Sequence, residues 1–217
     1  TNNQLDLRHS SYGPSGTDRD QRFVANFTWQ PPRLQLGSTL VRHVLNNWEF
    51  SGIGLIQAGT PLSISDTNAG SVYGLIRGEV RAQRTGSNPL THGSLYQRVI
   101  NGYLDPAAFT RAPEAPNGTS LADQDFGNSG VGFLRGPGQH NVDFAVERLF
   151  PIAETHTLHF RTEFFNLTNT PQFANPVNSL GYGDPTDPSP VASSSFGRIF
   201  GTVTAPRIVQ FALKYQF

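Results

Sequence analysis

Six histidines and sixteen acidic residues are the groups here that might bind a metal or move a proton. His156-Thr-Leu-His159 has an offset of three, which on a strand puts the two rings on opposite faces, and it lacks the glutamate of a zinc-protease helix. Asp123-Gln-Asp125-Phe-Gly127 has a fragment of a calcium loop, without the ligand spacing or the closing glutamate, so solvated loop acids are the better reading. A Gly-x-Ser-x-Gly nucleophile turn is missing, and so is a phosphate loop, since Lys214 is the only lysine. With no cysteine there is no thiolate nucleophile, disulfide or thiolate metal site. The sequons at Asn26, Asn117 and Asn166 are too short a motif to carry an argument. An enzyme ranks last, with no catalytic residue, cofactor or metal ligand assigned. What remains is Arg161 and Glu163, two residues apart, with Asp143 and Glu147 expected on a neighbouring strand and Lys214 on another. They read either as a ligand contact or, preferably, as a cross-strand charge ladder that satisfies polarity within the fold.

The elements that carry these groups alternate with a period of two. From Val209 the closing segment places Val209, Phe211, Leu213, Tyr215 and Phe217 on one face, with Gln210, Ala212, Lys214 and Gln216 on the other. Phe23, Ala25, Phe27 and Trp29 oppose Val24, Asn26, Thr28 and Gln30 until Pro31-Pro32 stops the ladder. Trp48 and Phe50 oppose Glu49 and Ser51. Beyond them Gly52 and Gly54 suggest a bulge, or a close approach that lets Ile53 and Leu55 change faces. Val142, Phe144 and Val146 oppose Asp143, Ala145 and Glu147, and Leu158, Phe160, Thr162 and Phe164 oppose His159, Arg161 and Glu163. The predicted strands run over about 21–30, 46–63, 141–150, 156–167 and 206–217. In their interiors Asp143, Glu147, Arg161, Glu163 and Lys214 all avoid the aromatic face. Arg148 and Arg207 share its parity, but close to strand ends, where a long side chain can snorkel to headgroups.

Composition narrows the function. Sixteen basic residues balance sixteen acidic ones, which leaves no field to steer a polyanion, so nucleic acid is excluded as a partner. No run of about twenty apolar residues is present, but barrel strands cross a membrane with about ten alternating residues each and escape that test. The chain opens without a leader at Thr1 and has no methionine, so it is expected to be a carboxy-terminal part of something longer.

Alternation alone leaves a soluble β-sandwich and a membrane barrel equally open. The gaps favour the barrel, in which short periplasmic turns alternate with long extracellular loops. Counting back from a periplasmic terminus, 169–204 is extracellular and long, 151–155 periplasmic and short, and 66–140 extracellular and longest, while 31–45 is intermediate. The long gaps are rich in Gly, Pro, Ser, Asn and Asp, as in Gly181-Tyr-Gly183-Asp-Pro185. The fold class is therefore all-β, an antiparallel meander forming the carboxy-terminal segment, about five strands, of a transmembrane β-barrel with long extracellular loops. Trp29, Trp48 and Tyr215 fall near the periplasmic strand ends, as an interfacial girdle would place them.

Several phrases resemble the TonB-dependent outer-membrane receptors, in particular the Oar-like group. They are Asp18-Arg-Asp-Gln-Arg-Phe23, Trp48-Glu-Phe-Ser-Gly-Ile53, Gln57-Ala-Gly-Thr-Pro61, Leu104-Asp-Pro-Ala-Ala-Phe109, Leu134-Arg-Gly-Pro-Gly138 and Phe160-Arg-Thr-Glu-Phe-Phe-Asn-Leu-Thr-Asn169. Pro206-Arg207 through Phe217 completes the set. The resemblance implies a barrel of about 22 strands with an amino-terminal plug, importing a bulky ligand with energy delivered through TonB. This chain would supply the last five strands in the outer membrane and lacks the plug and the TonB-contacting segment, so the TonB complex would be met through the missing amino-terminal part. Phe211, Leu213, Tyr215 and Phe217 would be read by the barrel-assembly machinery, the aromatic face would meet outer-membrane lipid, and the ligand is unknown. A structural or adhesive outer-membrane protein of the same architecture is the alternative.

Overall fold

The computed structural model describes residues 12–35, 37–66, 80–111, 127–180 and 195–217, which form two compact units. Gly181 to Pro185, Asp123 to Phe126 and Asn117 lie outside the described residues.

One unit is a five-stranded antiparallel sheet built from β1 (Arg22–Trp29), β2 (Trp48–Gln57), β9 (Gln139–Pro151), β10 (Thr157–Phe165) and β11 (Ile208–Gln216), in that spatial order. Each strand pairs with its predecessor, so the sheet is a meander. β1 and β11 form its open edges, and both are exposed along their whole length.

The registers align the expected faces across all five strands. Trp29 pairs with Phe50, Phe50 with Val146, Val146 with Thr162 and Thr162 with Phe211, which makes one row, apolar except for Thr162. On the opposite face Glu49 pairs with Glu147, Glu147 with Arg161 and Arg161 with Ala212. The register of β2 is unbroken, so there is no bulge at Gly52 or Gly54. Ile53 and Leu55 stay in phase with Ser51 on the polar face, opposite Asp143 and Asn141. The glycines serve the close approach instead: a Cβ on Gly52 would lie 2.7 Å from Cε1 of Phe27. The Phe27 ring leans across that vacancy from β1 towards Phe144 on β9, with ring centres 6.4 Å apart.

The strand expected over 46–63 ends at Gln57. Continuing the β2–β9 register by two residues would bring Pro137 opposite Gly59, and proline has no N–H for the ladder. The connection between β1 and β2, expected only as a gap of intermediate length over 31–45, contains helix α1 (Thr39–Leu45), with Ser38 as N-cap accepting from the Val41 N–H at 3.4 Å. Asn47 follows at φ 64, a left-handed conformation that asparagine tolerates, and turns the chain into β2. β9 and β10 are joined by a short turn closed by the Ile152 N–H on the His156 carbonyl at 2.9 Å.

The other unit comprises residues 1–20, 58–137 and 173–201. By connectivity these segments all join the sheet strands at the same end: the start of β1, the end of β2, the start of β9, the end of β10 and the approach to β11. Far from being structureless, this unit has a core of Ile64, Ala82, Tyr103, Leu104, Ala108, Phe109, Leu180 and Phe196. Three short antiparallel pairs surround it, β3 (Pro61–Leu62) with β8 (Leu134–Arg135), β4 (Ser65–Asp66) with β5 (Val80–Arg81), and β6 (Gln83–Arg84) with β7 (Phe109–Thr110). Helix α2 (Leu95–Asn101) begins with a capping box made by Ser94 and Gln97. Low hydropathy per residue hid this core in the sequence, because its apolar groups come singly from distant segments.

Candidate functional site

The phrases singled out in the sequence are structural joints. In Leu104-Asp-Pro-Ala-Ala-Phe109 the Asp105 side chain accepts from the Ala107 N–H at 3.0 Å and caps a 3₁₀ turn over Pro106–Ala108. That turn drives Leu104 and Phe109 into the core, where Phe109 meets Phe196 edge-on at 5.7 Å. Arg135 of Leu134-Arg-Gly-Pro-Gly138 reaches back to Asp18 at 2.7 Å and to Asp20, while Arg19 donates to the Ala58 carbonyl at 2.5 Å. Two distant phrases thus form one charge cluster within the same unit, a pairing that spacing alone could not reveal.

At the end of β10, Asn166 and Asn169 both adopt left-handed backbone, at φ 52 and 51. The buried Asn166 amide donates to the Thr170 and Ala205 carbonyls, at 3.2 Å each, and its oxygen accepts from the Thr170 N–H at 3.0 Å. Asn169 accepts from the Arg207 N–H at 2.9 Å, which sets the entry to β11. With its amide enclosed in this way, the Asn166 sequon offers no acceptor. Gln172, also buried, accepts from the His140 N–H at 2.6 Å.

The polar face of the sheet holds the charged groups. Arg161 lies 3.3 Å from Glu147 across the β9–β10 pairing and 2.8 Å from Glu163 on its own strand. His159 Nδ1 lies 3.0 Å from the same Glu147. His159, Arg161 and Glu163 are spaced by two and share one face, and the register sets the histidine beside Glu147. Asp143 does not join the group: it accepts from the Asn141 amide and from the Asn166 N–H, at 2.8 Å each, and so fixes the turn after β10. Its position just past the last β9–β10 pair, Phe144 with Phe164, puts it nearer that turn than the arginine. Lys214 sits opposite His159 on β11. A shallow depression of 320 Å³ runs beside the cluster, with Asn26, Ser51, Asp143, Arg161 and Glu163 among its lining groups. The ion pairs are partly exposed, so each is worth about 1 kcal/mol or less. Among the described residues no three His, Asp or Glu side chains meet in a metal-holding group.

The other face is aromatic. Trp29 stacks on Phe50 at 5.6 Å, Phe50 on Phe144 at 6.3 Å and Phe160 on Phe211 at 6.2 Å. Phe211 and Leu213 are 67% and 68% exposed, an apolar surface far too continuous for water. Trp29, Trp48 and Tyr215 all lie at the end of the sheet that carries the β9–β10 turn. Tyr215 stacks on His156 at 5.7 Å, its hydroxyl 2.7 Å from Nδ1, so His156 and His159 are indeed apart. Phe217 extends beyond β11, its ring 6.0 Å from that of Tyr215. Arg148, the cation with apolar parity, is enclosed by Trp48 at 5.0 Å and Phe150 at 4.3 Å and donates to the His43 carbonyl.

An open antiparallel sheet with one aromatic face and one charged face, with a short turn and a helical connection of intermediate length at one end and much longer connections at the other, matches the wall of a membrane barrel, whose outside is apolar and whose lumen is polar. Comparisons with curated protein sequences and with solved structures gave no match. The model of the outer membrane beta barrel domain, however, matches residues 1–210. The chain therefore belongs to the outer membrane beta barrel domain family, and it is a protein of the outer membrane.

Proposed function

We propose that these five strands form part of the barrel wall of a TonB-dependent receptor that binds or imports a bulky nutrient. Five strands cannot close, because bacterial single-chain barrels begin at about eight, so β1 and β11 must each meet further strands. In this reading the aromatic face meets lipid, and Glu147, Arg161, Glu163, Asp143 and Lys214 line the lumen. Phe211, Leu213 and Tyr215 present the outward stripe that the assembly machinery recognises. Energy coupling would pass through a plug and a TonB-contacting segment lying outside the residues of this sheet.

The observation that carries the proposal is the asymmetry of the two sheet ends. One end has a five-residue connection between β9 and β10, and the connections at the other fold into a unit with its own aromatic core. A folded core among these connections gives a bulky ligand a surface to meet. The test is uptake: delete the gene and measure import of a panel of chelated metals, cobalamins and oligosaccharides, alongside a strain lacking TonB. Loss of the same substrate in both strains supports the reading. Unchanged uptake of every substrate, with lost surface attachment, would replace it with adhesion.

A further inference from the structure

The connection between β1 and β2 holds a second constellation. In α1 the spacing of Thr39, Arg42, His43 and Asn46 brings them to one side of the helix, and Val41, Val44 and Leu45 fall on the other. The first side, together with Arg33 and Asn47, borders a recess of 280 Å³ that has two guanidinium groups and an imidazole at its rim and no carboxylate. The second side is open: Val41, Val44 and Leu45 are 43%, 55% and 48% exposed.

Seven residues are too few to hold a helix in water, so this one is fastened from outside. The Trp48 indole donates to the Val44 carbonyl at 2.8 Å, and Arg148 donates to that of His43. Asn46 exchanges two bonds with the Leu34 backbone, at 2.8 and 3.1 Å. Trp48 and Arg148 are a cross-strand pair on the aromatic face of the sheet. The carboxy-terminal turn of the helix is thus tied to the lipid-facing side of the wall, at the end that carries the short turn. An amphipathic helix held there lies in the membrane interface, its apolar groups among acyl chains and its basic groups at headgroup level.

We propose that the recess binds the phosphate of an anionic glycerophospholipid headgroup. Arg33 and Arg42 would contact the phosphate oxygens, with the Thr39 hydroxyl and the His43 ring as further donors. Val41, Val44 and Leu45, on the far side of the helix, would lie among the acyl chains of the surrounding bilayer and hold the recess at headgroup level. Inorganic phosphate would satisfy the two arginines equally well, but the placement of the recess at headgroup level favours the lipid. The inference rests on the outer-membrane reading, since the bilayer supplies the ligand.

The test uses the intact protein that contains this chain, purified in detergent and examined by native mass spectrometry with phosphatidylglycerol or phosphatidylcholine. The companion variant is Arg33→Gln/Arg42→Gln, both sites being exposed and outside every strand. Each basic group at an anionic surface is worth about fivefold, so the variant should bind phosphatidylglycerol about thirty-fold more weakly while keeping its heat-modifiable mobility. Excess inorganic phosphate should leave the wild-type lipid in place. Equal retention of the two lipids by the wild type, undiminished phosphatidylglycerol binding by the variant, or ready displacement by inorganic phosphate would overturn the proposal. Failure of the wild type to enter bilayers of any composition is a separate result, and it would instead sink the membrane reading on which the site depends.

Discussion

Replacing Phe144 by arginine puts the two-faced sheet to its hardest test. Phe144 occupies the aromatic face of the central strand β9, with Gly52 and Phe164 as cross-strand partners and the Phe27 and Phe50 rings at 6.4 and 6.3 Å. An outward arginine near the bilayer midplane costs about 2–4 kcal/mol. Each lost aromatic pair adds about 0.5–1.5 kcal/mol, so Phe144→Arg should cost about 3–7 kcal/mol. The comparison must put the same charge on the other face. Ala145 is 7% exposed and Ala212 faces Arg161, so arginine at either would bring crowding or like-charge repulsion of its own. Gln210 is exposed and opposite Glu163, and Gln210→Arg should cost less than about 1 kcal/mol. The assay is urea titration of the intact protein refolded into lipid vesicles, with heat-modifiable mobility as the sign of an assembled barrel. Equal midpoints for Phe144→Arg and Gln210→Arg would refute the assignment of the faces.

Gly52→Val would drive a Cβ into the Phe27 ring, and overpacking of that kind should cost about 1–3 kcal/mol in the same titration, whereas a tolerant Gly52 would mean that the Phe27 to Phe144 bridge is dispensable. Glu147→Gln removes the charge and one of the two acceptor oxygens that serve His159 and Arg161 but leaves Arg161 its bond to Glu163, so the loss should stay near about 1 kcal/mol; a larger loss would show that the cluster acts as a unit. Burial raises the Tyr103 hydroxyl above its ordinary value of 10.0 against the opposing effect of Arg98, and Tyr103 donates to the Arg135 carbonyl at 3.1 Å. Its neutral form is the one the fold favours, so its contribution is intact below pH 10.0 and declines as pH rises through the raised value. Alkaline difference spectroscopy should show a late-titrating phenol signal that disappears in Tyr103→Phe, and an unchanged titration curve in that variant would contradict the burial.

The strands were legible because a wall between two unlike surroundings imposes alternation on every residue, and the parity of Phe144, Phe160 and Phe211 survives in the registers. β2 was harder to read because the glycines that free space for Phe27 also erase the apolar signal of their own face. That made Ile53 and Leu55 look like the continuation of the aromatic side, when they lie opposite Asp143 and Asn141. The helices were not legible because each is seven residues long, and α1 depends on Arg148, remote in sequence, as well as on its neighbour Trp48. The charge cluster was half legible: spacing placed Arg161 with Glu163, but whether Asp143 or His159 joined them depended on register and on the turn after β10.

Arg148 shows how far the separation of faces extends. A cation on the aromatic side ought to be excluded at the cost that forbids one at Phe144, yet Arg148 pairs with Trp48 and Phe160 within the sheet. Three features make it tolerable, and all come from its position near the short-turn end. Trp48 and Phe150 give its charge two ring faces, the His43 carbonyl accepts a hydrogen bond from it, and α1 brings that carbonyl there. Moved five residues towards the other end of β9, to position 143, the same parity would be lost; moved four, to 144, it would meet the rings of Phe27 and Phe50, far from the His43 carbonyl. The apolar face is therefore closed to charge by depth rather than by parity alone, and the arginine marks the level at which the wall stops facing hydrocarbon.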